Sequence, residues 1–135
     1  VDELYEVALL NTPRLCPCKK NGIRQMLESY LGASCPDPLP GPENMFVLTN
    51  SRNIYGASVL LYPGILEKTS QSVGDNLLIL PSSIHEIIYL PEKCSLDKGE
   101  INKLIVSVNE SSVSCTDYLS DHCYIYDAKE KRLSF

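Results

Sequence analysis

The segment Leu77 to Pro91, LLILPSSIHEIIYLP, restricts the fold more than any other stretch of the chain. Two apolar runs rich in Leu and Ile flank Pro81-Ser82-Ser83. Runs of this length, broken by turn residues, are expected to be strands over Leu77 to Leu80 and His85 to Leu90, joined by a four-residue link in a hairpin. The first run has no polar face. Because successive strand side chains point to opposite faces, Leu77 to Leu80 needs cover on both sides and belongs in the middle of a sheet.

The remaining segments supply its neighbours and its cover. Met45 to Thr49 (MFVLT) is a second run of strand formers, and Asn50-Ser51-Arg52-Asn53 turns the chain out of it. Gly56 to Val73 has helical spacing with Ala57, Leu60, Leu61, Ile65 and Leu66 inward, kinked or split at Pro63-Gly64. Asp97 and Glu100 have the spacing of a capping box. Ile101, Leu104, Ile105 and Val108 follow at i, i+3, i+4 and i+7, which predicts an amphipathic helix over Leu96 to Asn109. His122 to Tyr126 alternates as a strand, and Asp127 to Lys131 turns it back into Leu133 to Phe135.

Upstream, Leu4, Val7 and Ala8 give Asp2 to Leu10 a helical spacing that Asn11-Thr12-Pro13 is expected to end. Asn21 can cap a second helix with Ile23, Met26, Leu27, Tyr30 and Leu31 on one face and Gly32 at its close. Four prolines between Pro36 and Pro42 make a stiff connector. The expected fold is α+β, a mixed or antiparallel sheet of about five strands with helices packed on it, preceded by two N-terminal helices. One domain spans residues 1–135, with a helical appendage at 1–34, a proline-rich linker at 35–44 and a sheet-and-helix core at 45–135. The chain starts at Val1, without methionine and inside a helical pattern, so the expectation is the C-terminal part of a longer protein whose upstream region could hold a targeting signal or a site.

A length of 135 residues suits a single core. Twelve basic against 17 acidic residues give a net charge of −5, which repels phosphate backbones, so no nucleic-acid partner is expected. No apolar stretch is long enough to cross a bilayer. A cytoplasmic module is the expectation. Of six cysteines, Cys16, Cys18, Cys35, Cys94, Cys115 and Cys123, only Cys16-Pro17-Cys18 form a close pair, and no second pair completes a tetrahedral zinc set. The apolar content of 44% is sufficient for folding without staples, so free thiols, no metal and no cofactor are expected.

Ser83, His85 and Glu86 are the candidate catalytic residues, because a serine nucleophile needs a histidine in hydrogen-bond reach and an acid to orient it. In an extended strand Ser83 and His85 share a face and Glu86 lies on the other, so the acid would come from elsewhere, Asp121 or Asp127. The motif also lacks the G-x-S-x-G elbow. In the plainer reading Pro81 to Ser83 form the turn and His85 enters the second strand. Asn50, Arg52 and Asn53 are candidate ligand-binding residues, lying between a strand and a helix where backbone N–H groups hold anions, although the phosphate-loop spacing is missing. His122-Cys123 resembles an activated thiol, but neighbours on a strand face apart, which favours a core role for Cys123. Tyr118, Tyr124 and Tyr126 lack the basic groove of a base-stacking surface.

The strings MFVLTNSRNIYGASVLLYPGILEK, LLILPSSIHEIIYLP and YIYDAKEKRL, with YEVALLNTPRL ahead of them, resemble a domain-of-unknown-function family of gut Clostridia and related Firmicutes that carries an ILPSSIHEV hairpin. The likeness covers nearly the whole chain. It implies longer proteins with additional upstream sequence, and it brings no assigned reaction, substrate or cofactor. Cys16-Pro17-Cys18 departs from the family's pattern. The expected function is a non-enzymatic binding or interaction module for a protein partner or for the upstream region of the same chain. The alternative is a serine/histidine-dependent hydrolase or transferase centred on Ser83-Ile84-His85-Glu86.

Overall fold

The computed structural model describes residues 1–23, 45–81, 83–94 and 97–135. Its elements are α1 (Asp2–Leu15), β1 (Cys18–Gly22), β2 (Phe46–Asn50), a 3-10 helix (Gly56–Leu61), α2 (Ile65–Val73), β3 (Leu77–Leu80), β4 (Ile87–Pro91), α3 (Lys98–Ser112), β5 (Tyr124–Asp127) and β6 (Arg132–Ser134). The fold is α+β. Six strands form one antiparallel sheet in the order β1-β2-β4-β3-β5-β6, against an expected five in a mixed or antiparallel sheet.

β3 sits inside that sheet, as its unbroken apolar run requires. All four of its side chains are buried. Leu77 and Ile79 join Leu48, Ala57, Val59, Ile87 and Tyr89 under the 3-10 helix and α2, while Leu78 and Leu80 join Leu90, Ile101, Ile105 and Cys123 under α3. Strand alternation thus divides β3 between two cores. Chain direction explains the two layers. Strands two places apart in an antiparallel sheet run parallel, so β2→β3 and β4→β5 are both crossover connections, shifted the same way across the sheet but starting from opposite strand directions. Right-handed crossovers of that kind put their helices on opposite faces.

Several local expectations are revised. The sixth strand is β1, which stands where Asn21 was expected to cap a helix; residues 24–32 of that second helix and the whole proline-rich linker at 35–44 lie outside the described residues. Cys-Lys-Lys-Asn-Gly has little strand propensity, and its strand form comes from pairing with β2 from Cys18↔Asn50 to Gly22↔Phe46. Lysines suit such an edge because they discourage further pairing. Lys20 Nζ also lies 4.6 Å from the Phe46 ring centroid, and Phe46 stacks on Tyr89 with centroids 5.4 Å apart. The Tyr89 ring is fully buried, and its hydroxyl has no hydrogen-bond partner among the described residues.

α1 continues through Pro13 to Leu15 instead of ending before it. The missing N–H falls in the last turns, where water can serve the freed carbonyl, and Cys16 N–H still bonds Thr12 O at 2.8 Å. Pro63-Gly64 splits the second helical segment, with Gly64 at φ 72° leading into α2. The β3–β4 hairpin forms, but β4 begins at Ile87, so the link spans residues 81–86 and His85 is in the loop.

Candidate functional site

Pairing directions bring four connections to one end of the sheet: Cys16-Pro17 before β1, residues 51–55 after β2, 81–86 between β3 and β4, and 113–123 before β5. Both sets of candidate residues stand there, and His85 joins the loops that carry them. Tyr55 N–H donates to His85 Nδ1 at 3.1 Å, and Thr49 Oγ1 donates to the His85 carbonyl at 2.9 Å. His85 Nε2 lies 3.5 Å from Asp117 Oδ1, and Ile84 N–H bonds the Asp117 carbonyl at 2.9 Å. A bond to Tyr55 N–H at Nδ1 leaves the neutral ring's proton on Nε2, facing Asp117. The acid beside His85 is therefore Asp117; Asp121 pairs with His122 at 2.8 Å, and Asp127 accepts the N–H groups of Lys129 and Glu130 in the β5–β6 turn.

Ser83 is near His85 in a different way from a nucleophile. Its Oγ accepts the His85 backbone N–H at 3.0 Å, and its backbone bridges Tyr118. The two imidazole nitrogens are directed at Tyr55 and Asp117, so no hydrogen bond among the described residues links the ring to Ser83 Oγ. The Glu86 carboxyl is half-buried, and burial pushes its pKa above the ordinary value against a smaller pull from His85.

Asn50, buried at the end of β2, has its amide engaged within the turn: Oδ1 accepts Arg52 N–H at 3.0 Å and Nδ2 donates to the Ile54 carbonyl at 2.8 Å. The turn places Asn53 and Tyr55 at φ 55° and 51°, the left-handed region that non-glycine residues seldom occupy. His85 thus holds Tyr55 in a conformation it would not favour alone. Around His85 the loops expose large apolar side chains, from Leu119 at 42% through Tyr118 and Ile54 to Tyr55 at 64%, with Arg52 exposed beside them. Sequence reasoning missed this patch and Asp117. The signal available was a cluster of apolar residues inside segments marked as loops by their turn residues.

Cys123 is buried beneath α3, its N–H bonded to Asn102 Oδ1 at 2.8 Å, while the His122 ring lies tilted against Tyr124 and edge-on to Phe135. Tyr126 is buried, Tyr124 half-buried and Tyr118 exposed. Cys16, Cys18 and Cys115 are free thiols. Among the described residues no group of three or more His, Cys, Asp or Glu is placed to hold a metal, and no helix is long and apolar enough to cross a membrane. At the opposite end of the sheet a groove of about 470 Å³ lies between α2 and the β5–β6 turn. Its Asp75 carboxylate accepts the N–H groups of Asn76 and Lys93, and Asn76 Oδ1 accepts that of Ala128, so these groups already serve the fold.

A family model described as a family of unknown function, DUF5688, matches residues 1–128. No curated protein and no solved structure matches the chain.

Proposed function

The chain belongs to the family of unknown function DUF5688, and from that premise we propose that it is a non-enzymatic binding module whose contact surface is the loop end of the sheet around His85. The observation that carries this reading is the exposed set Ile54, Tyr55, Tyr118 and Leu119 with Arg52, held by hydrogen bonds to and beside His85. Tyrosine and arginine dominate protein-binding hot spots, and a patch on tied-down loops loses little entropy on binding. The partner is a protein or the upstream region of the native chain. The net charge of −5 argues against nucleic acid, and the setting is the cytoplasm of a gut Clostridium or related Firmicute. Asn50, Arg52 and Asn53 act here by shaping the patch, with Arg52 alone reaching a ligand.

In-cell photo-cross-linking from residues 54 and 119, with residue 129 as the distant control, tests this. One partner should be captured from the first two positions and not from the third, and Tyr55→Ser with Tyr118→Ser should weaken its binding roughly tenfold or more. Equal capture from all three positions would sink the reading.

The hydrolase or transferase alternative is favoured by the contact between His85 and Asp117, half of an acid-base relay. It requires the ring to turn toward Ser83. Fluorophosphonate labelling that disappears in Ser83→Ala would establish it in place of the binding reading.

A further inference from the structure

Among the described residues, α1 has a seam with nothing packed on it. Leu4, Val7, Ala8, Asn11 and Leu15 recur at three- and four-residue steps, which sets them along one stripe of the helix. No residue of α1 is buried; Leu4, Val7 and Leu15 are 74%, 47% and 68% exposed, and Ala8 is exposed as well. Aliphatic residues at this spacing are the seam of a helix pair.

The charges say which pair. Asp2, Glu3 and Glu6 occupy the first half of α1, while Arg14 lies in its last turn and Lys19 and Lys20 follow on β1. At about 100° per residue, Glu3 and Arg14 fall on the same flank of the stripe, about 20° apart. If two copies lie antiparallel about a dyad between Leu9 and Leu10, Leu4 meets Leu15 of the second copy and Ala8 meets its Asn11. Arg14 then lies about 3 Å along the axis from Glu3 of the second copy, twice by symmetry. In a parallel pair Glu3 and Arg14 would stay eleven residues, about 16 Å, apart along the axis and could not meet.

We propose that α1 is the surface through which a second copy of this chain docks antiparallel, closing the Leu4-to-Leu15 seam with Glu3 facing Arg14 of the second copy. The surface is separate from the His85 patch. α1 joins the body beside that patch, through Tyr62 Oη donating to the Cys16 carbonyl at 2.7 Å and Ser51 N–H donating to the Pro17 carbonyl at 2.9 Å. A dimer would therefore display two patches, which raises avidity for a repeated partner.

Sedimentation velocity of the 135-residue chain over roughly a hundredfold range of concentration tests the proposal. The wild type is expected to pass from monomer to dimer, and Leu4→Asp with Leu15→Asp to remain monomeric with an unchanged melting temperature, since α1 contributes nothing to either core. Glu3→Arg and Arg14→Glu should each weaken association about fivefold. Combined in one chain they should restore it, because the swapped charges again meet across an antiparallel pair. Tyr55→Ser with Tyr118→Ser should dimerise as the wild type does, which separates this surface from the binding patch. A wild type that stays monomeric, seam variants that still dimerise, or a charge swap that restores nothing would each overturn it.

Discussion

Gly56 has no room for a side chain. A Cβ there would land on Thr49 Oγ1 and the His85 carbonyl oxygen, the two atoms whose hydrogen bond ties the end of β2 to the 81–86 loop. Gly56→Ala is expected to remove about 2 kcal/mol of stability, seen as a lower denaturation midpoint at unchanged m-value. Glu86 gives a pH signature. Its carboxyl, raised by burial, binds a proton more tightly in the folded chain than in the unfolded one. Its contribution is therefore most favourable below the ordinary carboxylate pKa, near pH 4, and declines as pH rises through the raised value. Glu86→Gln should melt higher than the wild type at neutral pH and alongside it at about pH 3. Asp121, lowered chiefly by its bond to His122, and Asp127, lowered chiefly by the Glu130 N–H, carry the opposite slope, and both proteins share them. Residue-level chemistry at this end was only half legible in the sequence. Ser83 and His85 were visible as neighbours, but a loop and not a strand sets their relation, and Asp117 is brought to His85 from the far side of α3.

Among the elements, α3 was the most legible because its start is written locally. Asp97 accepts Gly99 N–H on Oδ2 at 2.9 Å and Ile101 N–H on its carbonyl at 3.0 Å, and the helix then delivers Ile101 and Ile105 to the core. Asp97→Ala is expected to destabilise the protein by about 1 kcal/mol, with the greatest loss of amide-exchange protection in α3. β1 is the opposite case. Nothing in Cys-Lys-Lys-Asn-Gly asks for a strand, and only the open edge of β2 makes it one. α1 differs again, since its apolar spacing is plain in the sequence yet neither core uses it. The stop expected at Pro13 did not form because an exposed helix near its end tolerates the lost hydrogen bond.

At the scale of the molecule, β3 joins the two cores, so a truncation there is felt through the whole sheet. Ile79 is fully buried, packed beneath the 3-10 helix and α2 with Leu48, Val59 and Tyr89. Ile79→Ala should cost about 3 kcal/mol, and near-UV and far-UV circular dichroism should report the same lowered midpoint, as expected when both layers unfold together. What the sequence determined by itself was each local commitment: the doubly apolar β3, the hairpin after it, the break at Pro63-Gly64 and the capped α3. Those follow from side-chain alternation, backbone restriction and capping, which act within a few residues. Only the tertiary structure decided that β4 inserts between β2 and β3, that β1 becomes the sixth strand, and that Tyr55, His85 and Asp117 meet. Those depend on crossover geometry and on edges and loop ends supplied by distant segments, for which no local spacing carries a signal.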